Sequence, residues 1–195
     1  MINSKISGTR SGCVVAAIVS VFLLALAVQL SPLGGVVCAE DRTFDPEQRL
    51  KQMGIKLRRP STPVANYVQA VRTGNLVFLA GHGPRKPEGG LVVGRVGSDL
   101  TLEQGKEAAR LTAIDMLASL KAEIGDLRKV KRVVKVVGMV NTTASFTEHP
   151  KVVNGCSDLL VAVFGDRGRH ARCAVGMGSL PFNIPVEIDM IVELE

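Results

Sequence analysis

The chain has 195 residues with 24 basic and 18 acidic side chains, and the part after residue 39 is long enough for one domain with a full core and too short to argue for two. Its positive excess is scattered, apart from 128–135 and 167–172. One tyrosine and no tryptophan leave little to stack bases on, which argues against a nucleic-acid partner.

Residues 1–39 read as a secretory signal peptide. Lys5 and Arg10 give a basic start, 13–30 is an apolar run broken only by Ser20 and Gln29, and Val37-Cys38-Ala39 ends in a small residue ahead of acidic Glu40-Asp41. An uncleaved membrane anchor is the alternative, since the run is nearly long enough to span a bilayer. Either way the basic flank stays in the cytoplasm and the domain is exported, to the periplasm or outside. Beyond this leader only Cys156 and Cys173 remain, too few for a disulfide scaffold, and both read as core packing, one on a helix and one on a strand.

Residues 40–60 hold a short helix and a linker. Asp45 caps the helix, Pro46 suits its first turn and Gly54 its end. The folded domain then occupies 61–195. Strands are expected over 64–72 and 76–80 around a Thr73-Gly74-Asn75 turn, and a further short strand over 91–96. Between them, Gly81-His82-Gly83-Pro84-Arg85-Lys86 lacks the spacing of a Walker or Rossmann loop. His82 has no partner at metal-ligand spacing, so no metal is expected.

The clearest helix runs over 99–124, with a Thr101/Gln104 capping box, a Gly125 stop and an apolar stripe of Leu111, Ile114, Leu117 and Ala118. A helical turn over 126–130 leads into a strand over 132–141. The Asn141-Thr142-Thr143 sequon matters only in a eukaryotic secretory pathway. A second helix over 150–164 buries Val152, Val153, Cys156, Leu159, Leu160 and Val163. Asn154 lies off that stripe.

The last stretch, 172–195, reads as two strands joined by a Gly/Pro connection. Val186, Ile188, Met190, Val192 and Leu194 share one face of the second strand, and Glu187, Asp189, Glu193 and Glu195 the other. In the first, Cys173, Val175 and Met177 share one face, and Arg172, Ala174 and Gly176 the other. With both apolar rows in the core, Arg172 and Glu187 would share the opposite surface, with open space at Ala174 and Gly176. Two readings follow: a cross-strand salt bridge on a solvated face, or an arginine clamp for a carboxylate beside a glutamate that handles water. One amphipathic stripe per helix suits two helices packed on a single face of a mixed sheet.

Ala171-Arg172, Leu180-Pro181 and Val186-Glu187-Ile188 resemble the C-terminal signature of the RidA/YjgF/UK114 family. Asn66-Tyr67-Val68-Gln69-Ala70-Val71 and Gly74-Asn75-Leu76-Val77-Phe78-Leu79-Ala80-Gly81 agree with it. The resemblance implies a chorismate-mutase-like α+β fold, assembled as a homotrimeric barrel with ligand pockets between subunits. It implies hydrolysis of 2-enamino and 2-imino acids to 2-keto acids and ammonia, with no cofactor. Arg172 would bind the substrate carboxylate and Glu187 would position water. Gly81 would offer its backbone, Tyr67 would close the pocket and Asn154 would border it. Three positions depart from familiar members: His82 stands where Gln is frequent, Ala174 where Cys is, and His170 where Pro is. A non-catalytic module that binds small carboxylates is the alternative function, followed by an RNA-cleaving enzyme.

Overall fold

The computed structural model describes residues 44–60, 62–63 and 65–195, so the leader and its cleavage point lie outside the described residues. A short helix α1 (Pro46–Gln52) comes first, its N-terminus capped by Asp45, whose carboxylate accepts from the backbone N–H of Glu47 and Gln48. The sheet follows: β1 (Ala70–Thr73), β2 (Leu76–His82), β3 (Val130–Asn141), β4 (Ala171–Met177) and β5 (Val186–Leu194), ordered β1-β2-β5-β3-β4. Only β3 and β4 run parallel. Between the strands lie α2 (Leu102–Ile124) and α3 (His149–Phe164).

Local signals set the helix ends. In α2 the Thr101 side chain accepts from Gln104 N–H while the Gln104 side chain accepts from Thr101 N–H, which satisfies two donors that the first turn leaves free. Gly125 stops the helix with φ 81°, a conformation in which a side chain would be strained. The predicted stripe of α3 is buried throughout. In α2 the buried face is rotated from the one expected: Ala109, Ala113, Met116, Leu117, Leu120 and Ile124 form it, while Leu111 and Ile114 are half-buried.

β5 alternates as read, with Val186, Ile188, Met190, Val192 and Leu194 each at most 2% exposed beneath the helices. Three expectations about where strands lie need correction. The first hairpin strand begins at Ala70 rather than at residue 64. Residues 91–96 form isolated bridges, Leu91 to Arg85 and Val96 to Leu100 and Thr142, instead of a strand. Most consequentially, β4 and β5 are not neighbours. Parallel strands need a crossover of a dozen residues or more, and α3 supplies it between β3 and β4. β4 is thereby placed on the outer edge, and the chain over 178–185 passes β3 before returning as β5.

In that return, Phe182 and Asn183 both take left-handed backbone, at φ 55° and 53°. Buried Asn141 holds the turn, its side-chain N–H₂ donating to Asn183 Oδ1 and Ile184 O. The sequon asparagine is thus 1% exposed and occupied by the fold.

Register also reverses the expected faces of β4. Arg172 stands beside Val136 and Ala174 beside Gly138, both on the helix-covered row of β3, so the arginine row faces the helices. Cys173, Val175 and Met177 face the uncovered side, and all three are exposed. Cys173 is therefore not core packing, whereas Cys156 is.

Candidate functional site

The five residues singled out in the sequence fall into two clusters and one outlier. On the helix side of the sheet edge, Arg172 reaches α3. Its Nη1 donates to Asn154 Oδ1 at 2.8 Å and to Ser157 Oγ at 3.0 Å. Asn154 and Ser157 are one turn apart, so both acceptors meet the same guanidinium nitrogen. Among the described residues no carboxylate lies within 4.0 Å of Arg172. Its Nε and Nη2 make no hydrogen bond to any described residue. Among the described residues the charge is positioned by neutral groups and meets no carboxylate partner. The space expected beside it at Gly176 is occupied, because a Cβ there would stand 2.3 Å from His149 Nε2.

On the uncovered face, Glu187 lies across Gly81. A Cβ at Gly81 would fall 2.1 Å from Glu187 Oε1, so only glycine allows the carboxylate this position. The irregularity in β2–β5 pairing between Leu79 and His82 brings Gly81 there. His82 secures that bulge from the other side. It is buried, with Nδ1 2.6 Å from Ala80 O and Nε2 2.8 Å from Ser119 Oγ on α2. Since a carbonyl only accepts, Nδ1 carries the proton and Nε2 accepts from Ser119. Burial pushes the pKa of His82 down, against the opposing pull of the Ala80 carbonyl and the charge of Asp115. The loop that follows turns its carbonyls on a cation: Arg58 donates to Arg85 O and Lys86 O, the opposite polarity from a phosphate nest.

The carboxyl of Glu187 sits above the usual carboxylate range, first because it is half-buried and second because Asp189 places a like charge beside it on the same strand face. Asp189 is raised too, chiefly by burial. Glu193, further along the same row, is paired with Lys131 and Arg132, while no described cation lies within 4.0 Å of Glu187 or Asp189. The salt-bridge reading of Arg172 and Glu187 therefore fails. The two residues are two strands and three register positions apart and project from opposite faces of the sheet. Tyr67 is the outlier. It precedes β1, is 46% exposed, and its hydroxyl bonds to none of the other four.

The family model described as "YjgF/chorismate_mutase-like, putative endoribonuclease" matches residues 47–194. This chain belongs to that family. Protein TCP17 of Trypanosoma cruzi is 46% identical over 146 residues, covering 74% of this chain and 91% of that one. The crystal structure of Atu1372 from Agrobacterium tumefaciens, a protein described as of unknown function, superimposes with a TM-score of 0.71 at 43% identity, over 78% of this chain and 94% of that one. A structure from Shewanella oneidensis MR-1 described as "a putative endoribonuclease" has a TM-score of 0.74 at 32% identity, over 77% and 99% of the two chains.

Within this YjgF-type chain, two polar groups lie outside the site residues read from the sequence, where His170 figures only as a departure from familiar members. Ser157 lies one turn beyond Asn154, and that spacing was the available signal. His170 stands two residues before Arg172, hence on the same side of an extended chain. Among the described residues no three His, Cys, Asp or Glu side chains gather as a metal site would require.

Proposed function

We propose that this protein hydrolyses 2-imino acids, and the 2-enamino acids that tautomerise to them, at a site built from two copies of the chain. The observation that carries this reading is Arg172: a guanidinium pinned through Nη1 by two neutral acceptors, with its Nε–Nη2 edge unused. That edge presents two parallel N–H donors, the geometry a carboxylate accepts in bidentate fashion. Asn154 and Ser157 keep it in place.

The partner half of the pocket is Glu187 above Gly81. An arginine on the helix side of an edge strand and a glutamate on the uncovered face of the same sheet serve one substrate only if they come from different chains. A homotrimer, as the family resemblance implies, supplies that arrangement. The exposed Val175, Met177 and Phe78 on the uncovered face give a second copy apolar surface to cover.

In the proposed reaction, water held by the Glu187 carboxylate attacks the imine carbon. The carbon–oxygen bond forms as the C=N π pair moves to nitrogen, and Glu187 takes the proton. Glu187 returns that proton to the nitrogen, and the carbinolamine collapses: the O–H pair closes a carbonyl as the carbon–nitrogen bond breaks, and the hydroxyl proton passes through Glu187 to the departing nitrogen, which leaves as ammonia. A raised carboxyl pKa suits this exchange, because it brings the group closer to the operating pH. Tyr67 is proposed to close the pocket with its exposed ring. The segment before Glu40 is proposed to take the domain across a membrane.

The test generates 2-iminobutyrate in place with an amino-acid oxidase and follows diversion of the imine from semicarbazide to 2-ketobutyrate. Wild-type chain should compete with the trap. Arg172→Ala should raise KM about a hundredfold, as expected for the loss of two charge-assisted hydrogen bonds. Mixing Arg172→Ala with Glu187→Gln chains, then dissociating and reassociating them, should recover activity that neither has alone, since mixed assemblies contain pockets with both groups intact. A wild-type protein that leaves several imino acids untouched yet binds 2-keto acids through Arg172 would replace the enzyme reading with that of a carboxylate-binding module.

A further inference from the structure

Arg172 is held by more than the two residues it touches. Ser157 Oγ lies 3.1 Å from His170 Nε2, and His170 Nδ1 lies 2.7 Å from Gly168 O. We propose that His170, acting through Ser157, fixes the Arg172 guanidinium in its carboxylate-binding orientation and is a positioning residue of that site. The inference rests on the reading of Arg172 as a carboxylate clamp.

The direction of every hydrogen bond in the chain is forced. Gly168 O can only accept, so the imidazole proton is on Nδ1 and Nε2 presents a lone pair. Ser157 must then donate its hydroxyl proton to Nε2. With its only proton committed, Ser157 Oγ has lone pairs alone to offer, and Arg172 Nη1–H at 3.0 Å takes one. A serine without such a partner turns its hydroxyl freely. Here the histidine removes that freedom, and the arginine inherits one orientation.

The anchor is equally fixed. A Cβ on Gly168 would lie 2.3 Å from Leu160 O, so this glycine packs its backbone directly on α3, and its carbonyl cannot drift. The relay also requires a neutral ring, since a protonated one would set a second donor and a second cation against Ser157 and Arg172. Burial first, and then the Arg172 charge, hold the pKa of His170 below its ordinary value, outweighing the Gly168 bond.

The test measures binding of 2-ketobutyrate to the full chain by calorimetry, with thermal melts to establish folding. Ser157→Ala and His170→Phe should each weaken binding about tenfold, the effect of losing one hydrogen bond to a charged group. His170→Gln, whose amide oxygen can accept the serine proton, should bind nearly as the wild type does. The nitrogen-15 spectrum of His170 should show a neutral ring protonated at Nδ1. If Arg172→Ala binds as the wild type does, the clamp reading fails and this inference fails with it. If Arg172→Ala loses binding while Ser157→Ala and His170→Phe retain it, the clamp stands and the relay is wrong. A glutamine variant as weak as the phenylalanine one, or a ring protonated at Nε2, also overturns it. Should His170→Phe not fold, Ser157→Ala carries the comparison.

Discussion

Glu187→Gln should lower turnover on a 2-imino acid by about two to four orders of magnitude, and at neutral pH it should make the chain more stable. The first effect is the loss of a positioned base. The second follows from its desolvation. The folded-state pKa of Glu187 lies above its ordinary 4.5, through burial first and the Asp189 charge second. Below 4.5 the carboxyl is protonated whether the chain is folded or not, and folding costs it nothing extra. As pH rises through the folded-state value, the unfolded chain has already released its proton and the folded one is forced to follow. Stability is lost across that interval and stays lost above it. An amide of the same shape, lying over Gly81, never ionises. The variant should therefore melt higher than wild type at neutral pH and at the same temperature below about pH 4. Opposite signs for rate and melting temperature separate a catalytic carboxylate from a merely damaged fold, in which both would fall.

Gly155→Ala should destabilise the fold by about 3 kcal/mol, a fall of roughly 6–12 °C in melting temperature for a domain of this size. Gly155 is buried in α3 where that helix crosses α2. A Cβ there would stand 1.9 Å from Lys106 O and 3.1 Å from Arg110 N. Helix propensity favours alanine by about 1 kcal/mol. The obstruction outweighs it, because both obstructing atoms are backbone and no rotamer change clears them. The helices would have to part by about an ångström, opening gaps around Val152 and Val96, which both lie against Gly105 of α2. Gly81 gives the contrast. There the obstructing atom is the far end of a glutamate side chain, so an added methyl would displace Glu187 and leave the sheet intact. Thermal melts of the two alanine variants should differ accordingly, with only the first strongly depressed.

Most of the architecture was legible because it rests on local chemistry. The capping box at Thr101, the stop at Gly125 and the strict alternation of β5 each concern residues a few positions apart. The faces of β4 were not legible, and the reason is physical. Hydropathy reports which residues prefer to leave water, and in β4 the apolar row of Cys173, Val175 and Met177 does prefer it. The helix-facing row is polar and small for other reasons. Arg172 has acceptors on α3 to meet, and Gly176 leaves room for the ring of His149. Whether a strand pairs with its sequence neighbour was equally hidden, since the α3 crossover decides it. Arg172 and Glu187 stood out from the alternation of the last two strands, whereas Asn154, Gly81 and Tyr67 came through the family resemblance, which also implied the roles of all five. What periodicity could not supply was the division into two pairs, Arg172 with Asn154 and Glu187 with Gly81.

If the pocket is shared between two copies, as proposed, that division makes protein concentration a catalytic variable. The core lies between one sheet and its own two helices, so a chain diluted away from its neighbours would keep its fold, its arginine and the groups that aim it. It would hold half a pocket. Specific activity should then fall with dilution along the association equilibrium, at concentrations where the circular dichroism spectrum is still that of the folded protein. Weakly associating sequences would be inactive without being misfolded.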